Sequence, residues 1–163
     1  MRIILKNKET LLYDDFEFKC CVGKKGITSR KMEGDKKTPK GIFSLGALFY
    51  RSDKIQNPIT KIKKVEITKS MGWCDDTNNK NYNKLIKASS KIKHEKLYLK
   101  KNIYDLLIPI NYNTKRVKKN KGSAIFIHLT KNYKKTLGCI ALKKKDMLIL
   151  LKLINKKTKI KIC

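Results

Sequence analysis

Apolar positions along this chain recur mostly with a period of two, in short runs broken by polar turns, and that spacing predicts strands rather than helices. Residues 2–6 and 16–22 read as the first strands, around polar turns near Asn7–Glu9 and at Asp14 and Asp15. Turns follow at Gly23–Gly26 and Gly34–Lys37, in residue types that accept tight backbone geometry. Gly41–Phe49 reads as a strand bent at Gly46, and Lys61–Thr68, with Ile62, Val65 and Ile67 apolar, as an exposed strand. Residues 70–83 read as loop, Tyr82–Ser89 as a helical turn and Leu97–Ile110 as strand. Asn111–Lys121 is a polar, basic connection, and Ser123–Leu129 is apolar and β-branched enough to be a buried strand.

The period changes once. Met147, Leu148, Leu150, Leu151 and Ile154 fall at helical spacing, so Lys145–Asn155 is expected to be a helix packed on the sheet. Asp146 lies near its start, where negative charge is favourable. Thr158–Cys163 alternates again and predicts a last strand with Ile160 and Ile162 inward. The reading is a mainly β chain with one packed helix toward the C-terminus, without repeats or a linker. A chain of 163 residues fits one domain over 1–163, with enough length to bury a substantial core.

A net charge of +28 ordinarily points to a polyanionic partner. The cations are 37 Lys against four Arg, spread along the whole chain, whereas phosphate and base recognition favours the bidentate Arg fork. Abundant Lys, Asn and Ile fit a compositional bias toward A and T, with nonspecific polyanion attraction as an incidental or tuned consequence. Five cysteines without a Cys-x-x-Cys pair, and only two histidines, argue against a metal site; no cofactor is expected. Cys20 and Cys21 are neighbours in a strand, so they face opposite ways, and with Cys163 they are expected to be buried or idle thiols. Cys74, beside Trp73, is open between bordering a site, forming a disulfide and packing. Met1–Thr10 lacks the apolar core and cleavage site of a secretory signal, and no run approaches the ~18–20 apolar residues of a membrane span.

The chemistry concentrates in Gly122–Leu142. Ser123–Leu129 ends near His128, Thr130–Thr136 is a lysine-rich loop, and Gly138-Cys139 opens a second apolar run through Leu142. A strand, a loop and a returning strand bring His128 and Cys139 side by side, and an imidazole is a common means of producing a reactive thiolate. Gly138 lets the backbone approach a substrate closely and aims amide N–H groups at a developing oxyanion. Taken on spacing alone, the same two residues also fit a buried core pair. His94, in the charged segment KIKHEKLYL, reads as a surface residue.

His128, Thr136, Leu137, Gly138, Cys139 and Ile140 resemble the catalytic motif of the YkuD-type L,D-transpeptidase domain, in which a strand ends in His and Ser/Thr-x-Gly-Cys follows after a loop. Lys31–Leu45 resembles the family's Thr-Pro-x-Gly-x-Phe strand through Thr38, Pro39, Gly41 and Phe43. Gly72–Asn83 resembles a Trp-Cys-Asp-Asp…Tyr-Asn element of one branch. The resemblance implies a β-sandwich or barrel-like domain acting on peptidoglycan stem peptides. It implies Cys139 as nucleophile, His128 as base oriented by a backbone carbonyl, and an oxyanion region at Gly138 and Leu137. Thr136, Tyr133 and Trp73 are the residues expected toward substrate, with Tyr133 equally readable as an exposed loop aromatic. Many members carry His where Leu137 stands and Arg where Ala141 stands, so substrate recognition does not carry over with the motif. Release of a terminal D-alanine and transfer to an amine would be a transpeptidase, and water as acceptor an L,D-carboxypeptidase. The rivals are a non-catalytic polyanion or cell-wall binding module and a silent relative. The family implies the periplasm or cell wall, the missing signal the cytoplasm, so location stays open, as does oligomeric state.

Overall fold

In the computed structural model, which describes residues 2–163, the alternating N-terminal runs form a meander of β1 (Arg2–Leu5), β2 (Thr10–Tyr13) and β3 (Phe16–Cys21). The middle strand was not expected: between its two turns, four residues with Leu11 and Tyr13 inward are enough to bridge β1 and β3. β4 (Ile27–Thr28) and β5 (Thr38–Pro39) make a short parallel pair. The single strand expected over 41–49 is two, β6 (Gly41–Ser44) and β7 (Leu48–Tyr50). The break falls at Gly46, where the backbone runs so close to Pro109 that an added Cβ would lie 3.1 Å from its ring.

β8 (Lys64–Glu66) is the core of the strand expected over 61–68, with Ile62 and Ile67 buried at its flanks. The next stretch corrects the sequence reading. β9 (Met71–Cys74), β10 (Leu85–Lys87) and β11 (His94–Lys96) form a three-stranded antiparallel sheet where loop and a helical turn were expected. β9 shows no alternation because it is central and covered, and three-residue β10 and β11 are too short to display a period. Of the strand expected over 97–110, only β12 (Leu106–Pro109) forms, after a 3₁₀ turn at Asn102–Tyr104. β13 (Phe126–Leu129), β14 (Ile140–Leu142), α1 (Lys144–Leu153) and β15 (Lys159–Ile162) fall close to expectation.

Ten strands build one sheet in the order β6-β15-β1-β2-β3-β14-β13-β12-β7-β8. It curls on itself. Leu45, just past β6, bridges Ile110, just past β12, and the Asn111 amide donates to the Ser44 carbonyl at 2.9 Å. The mainly β, barrel-like architecture expected from the sequence is therefore present. Inside the curl lies the larger core, filled by Ile3, Leu5, Ile127, Ile140 and Ile160 and by Met147, Leu150, Leu151 of α1. A second core, with Trp73, Leu97, Tyr104, Leu107 and Phe126, lies where the three-stranded sheet covers the other face. Among the described residues no helix is long and apolar enough to cross a membrane.

Leu150 is fully buried under the sheet. Leu150→Ala is expected to cost about 3 kcal/mol, seen as a lower urea midpoint at unchanged slope.

Candidate active site

Strand alternation assigns the sides. In β13, Ile127 and Leu129 enter the larger core, so Phe126 and His128 face the other way. β13 runs parallel to β14 with His128 beside Ala141, and Cys139 precedes Ala141 by two residues. Cys139 therefore shares the face of His128 and stands next to Phe126. The two side chains that the sequence singles out line one groove of about 1310 Å³, together with Thr136, Leu137, Gly138, Tyr104 and Glu95.

Both groups are buried, at 8% exposure each. The Phe126 amide donates to Cys139 Sγ at 3.3 Å, and the thiol donates to the Ala124 carbonyl, also at 3.3 Å. His128 Nδ1 lies 2.9 Å from the Leu129 carbonyl, which only accepts; Nδ1 thus carries the proton and Nε2 keeps its lone pair. The expected backbone orienter of the imidazole is Leu129. Burial pushes His128 down to about 4. Burial also pushes the Cys139 thiol far up, the Glu95 carboxylate adding to the effect and the Phe126 amide and Lys31 opposing it. At neutral pH the pair is a thiol beside a neutral imidazole.

The turn before Cys139 is locked by Thr136. Its hydroxyl donates to the Cys139 carbonyl at 2.6 Å and accepts from the Gly138 amide at 3.1 Å. Thr136 is also fastened through its backbone to Val22 and Lys24. Gly138 has φ +145°, and an added Cβ would stand 3.0 Å from the Lys37 carbonyl. Only glycine fits. The Thr38 segment of the Thr-Pro-x-Gly-x-Phe match forms that wall, and Thr38 Oγ1 accepts from the Gly23 amide at 3.0 Å. The Gly138 N–H, expected toward an oxyanion, donates to Thr136 Oγ1 in this structure. Leu137 is 66% exposed at the groove's rim.

Two residues expected toward substrate lie elsewhere. Trp73 is buried, edge-on to Phe126, with Nε1 donating to Asn83 Oδ1 at 2.9 Å. Tyr133 lies outside the groove lining, with the Lys19 and Lys143 ammonium groups 5.0 and 5.3 Å from its ring centre. His94, expected at the surface, is half-buried. Its Nε2 is buried and its ring packs on Gly72, because β11 pairs with β9. All five cysteines are free; Cys20, Cys21 and Cys74 are buried and Cys163 is exposed, so Cys74 packs.

The Trp-Cys-Asp-Asp…Tyr-Asn element turns out to buttress the site from behind. Asn83 Oδ1 accepts from Trp73 and from the Ala124 amide, while Nδ2 donates to the carbonyls of Tyr112 and Asn113. The Tyr82 hydroxyl accepts from the Gly122 amide and donates to Glu33, whose carboxylate also accepts from Ser123. These contacts hold Gly122–Ala124, and Ala124 supplies the carbonyl that receives the Cys139 thiol. Asn83, Glu33, Lys31, Glu95 and Tyr104 were missed by sequence reasoning. Asn83 and Tyr82 were within reach, as the matched Tyr-Asn pair; the others carry no spacing signal.

The curled sheet thus carries a buried thiol and a neighbouring imidazole in one open groove. The chain belongs to the YkuD family: residues 2–162 match the model of the L,D-transpeptidase catalytic domain. Membership supports an L,D-transpeptidase-type activity on peptidoglycan. No curated protein matches the chain.

Two outcomes follow from this geometry. The unfolded chain takes up the His128 proton near pH 6.5 and the folded one only near 4, so stability drops as pH falls through that window. The loss amounts to roughly 3 kcal/mol, read as the difference between the protein and His128→Gln in urea unfolding at several pH values. Asn83→Ala leaves Trp73 Nε1 and the Ala124 amide unpaired and is expected to cost roughly 2–4 kcal/mol, followed by Trp73 fluorescence.

Proposed function

We propose that this protein is a cysteine-dependent peptidoglycan L,D-transpeptidase with Cys139 as nucleophile and His128 as general base. The observation that carries the reading is the placement of both side chains on one face of the parallel β13–β14 pair, at the floor of the groove. His128 Nε2 takes the proton from Sγ as sulfur attacks the carbonyl that precedes the terminal D-alanine. The Sγ–C bond forms, the C–N bond breaks, and the proton passes to the departing amine. Because the Gly138 N–H is engaged by Thr136, we assign the oxyanion to the amides of Leu137 and Cys139. Starting from a neutral pair, proton transfer accompanies attack rather than preceding it. An amine of a second stem then resolves the thioester and gives a crosslink.

The groove's volume, about 1310 Å³, exceeds the ~300–1,000 Å³ of most small-ligand pockets. Room for two stems favours the amine over water as acceptor. Lysines on the groove rim, among them Lys131, Lys134 and Lys144, suit an anionic polymer and give a salt-dependent attraction that is indifferent to Cys139→Ala.

Mass spectrometry of tetrapeptide-bearing muropeptides incubated with the reduced protein tests the reading. Expected are loss of terminal D-alanine, acylated Cys139 and crosslinked dimers, with Cys139→Ala and His128→Ala lowering turnover by ~10⁴-fold. Bare tripeptide without dimers would make it an L,D-carboxypeptidase. Folded protein without turnover or acylated Cys139 would overturn the enzymatic reading.

A further inference from the structure

Tyr104 stands where several parts of the site meet. Its ring is edge-on to His128, with centres 5.3 Å apart and planes at 79°, and edge-on to Phe126, at 5.9 Å and 86°. Phe126 is edge-on in turn to Trp73, at 5.2 Å and 84°. The Tyr104 hydroxyl donates to Glu95 Oε1. Across β9 and β11, Glu95 lies opposite Trp73, so both side chains leave the same face of the three-stranded sheet. The turn that carries Tyr104 is pinned as well. Arg51 Nη1 donates to the Leu99 carbonyl at 2.5 Å, the Arg51 amide to the Asp105 carbonyl at 3.0 Å, and Lys54 Nζ pairs with Asp105 at 3.1 Å.

The Leu129 carbonyl fixes which nitrogen of His128 carries the proton. That bond restrains the Nδ1 edge of the ring and leaves the opposite side to be held by packing. An edge-to-face neighbour does that. We infer that Tyr104 and Glu95 are positioning residues for the reaction: Glu95, through the Tyr104 hydroxyl, fixes the aromatic edge that holds the His128 imidazole toward Cys139. The inference rests on Cys139 and His128 being the reacting pair proposed above. Trp73 and Phe126 extend the same stack, which gives the buried Trp73 a role in the site without substrate contact.

Charge supplies a second, separable signature. Glu95, Tyr104, His128 and Cys139 line the same groove, and the charged groups that bear on the thiol are Glu95 from β11 and Lys31 from the 29–37 loop. Glu95 itself is acted on by Tyr104, Asp75 and Glu33. Burial raises its carboxyl and keeps the Tyr104 phenol protonated, so the hydroxyl is the donor and Glu95 the acceptor. A negative Glu95 disfavours the thiolate.

The test compares Tyr104→Phe, Glu95→Gln and Glu95→Ala, each shown by circular dichroism and melting to be folded. Three quantities are read: kcat and KM for D-alanine release, the pH midpoint of iodoacetamide alkylation at Cys139 followed by peptide mapping, and the His128 ring resonances. Tyr104→Phe and Glu95→Ala are expected to lower kcat by about tenfold or more with KM nearly unchanged, since misplaced catalytic groups cost rate rather than binding. Glu95→Gln keeps an acceptor for the hydroxyl and is expected to retain most of kcat. Both Glu95 variants should move the alkylation midpoint to lower pH, whereas Tyr104→Phe, which keeps the carboxylate, should not. Wild-type kcat in folded Tyr104→Phe and Glu95→Ala, with unmoved His128 resonances, would overturn the inference. Alkylation and the ring resonances need no turnover. A protein that released no D-alanine would overturn the acyl-transfer reading and with it the role in the reaction, while moved His128 resonances would still show that Tyr104 sets the ring; if Glu95→Ala fails to fold, Glu95→Gln and Tyr104→Phe decide.

Discussion

Parallel pairing of β13 with β14 sets the positions of His128 and Cys139, and most of the neighbouring structure serves to keep that pairing in register. A slip of one residue would turn His128 into the larger core and bring Ile127 or Leu129 to the groove, because side chains alternate along a strand. Parallel neighbours usually need a long crossover, often a helix. Here residues 130–139 make the connection without one, so the link has to be held from outside. Thr130 donates its amide to the Leu142 carbonyl at 2.8 Å and takes the Tyr133 amide on its hydroxyl at 3.0 Å. Lys19 and Lys143 cover the Tyr133 ring, and Thr136 fastens the far end to Val22. Tyr133 thus stabilises the loop that returns the chain to Cys139.

The electrostatics follow from the same burial. A chain with net charge +28 places Cys139 and His128 where water is scarce, with a negative group, Glu95, bearing on the thiol. An ion pair of thiolate and imidazolium would have to be desolvated at both ends, which costs more than a neutral pair unless other groups pair with each charge. Phe126 N–H and the partial influence of Lys31 do not offset the burial, since Lys31 is itself committed to Asp35 at 2.5 Å. The site is therefore poised rather than precharged. Under the proposed reaction, the cost of forming a thiolate would be met as bonding to the substrate carbonyl develops, with the amides of Leu137 and Cys139 acting at that moment.

Much of this was legible in the sequence, and the reasons for the gaps are physical. Period-two runs announced β1, β3 and β15, a continuous apolar run announced the buried β13, and helical spacing announced α1. β9 to β11 were invisible: Met71–Cys74 is covered on both sides, and the partners at Leu85–Lys87 and His94–Lys96 are three residues long. The same blindness misplaced His94 as a surface residue and sent Trp73 toward substrate, when both are packed by pairings far apart in the chain. His128, Cys139, Gly138 and Thr136 could be singled out together because they sit in one short segment, and all four line the groove. Glu95 and Tyr104 join the site only through the docking of a separate sheet and a 3₁₀ turn, which no local pattern records.

The departures at Leu137 and Ala141 take on a definite meaning in this setting. Ala141 is fully buried and pairs with His128 of β13 and Cys21 of β3, so the strand presents a methyl group, not a long cation, at that position. Leu137 offers an exposed apolar side chain at the rim in place of a ring donor. For the proposed reaction, donors to the oxyanion would then come from the backbone, and positive charge for a substrate carboxylate from the rim, where Lys131, Lys134 and Lys144 stand. Rim ammonium groups are solvated and flexible, and each contributes less than a buried, forked Arg. Several together are tolerant of where the carboxylate lies. In the proposed reaction the lysine-rich rim would substitute a diffuse field for a single fixed contact, leaving strict geometry to the buried pair.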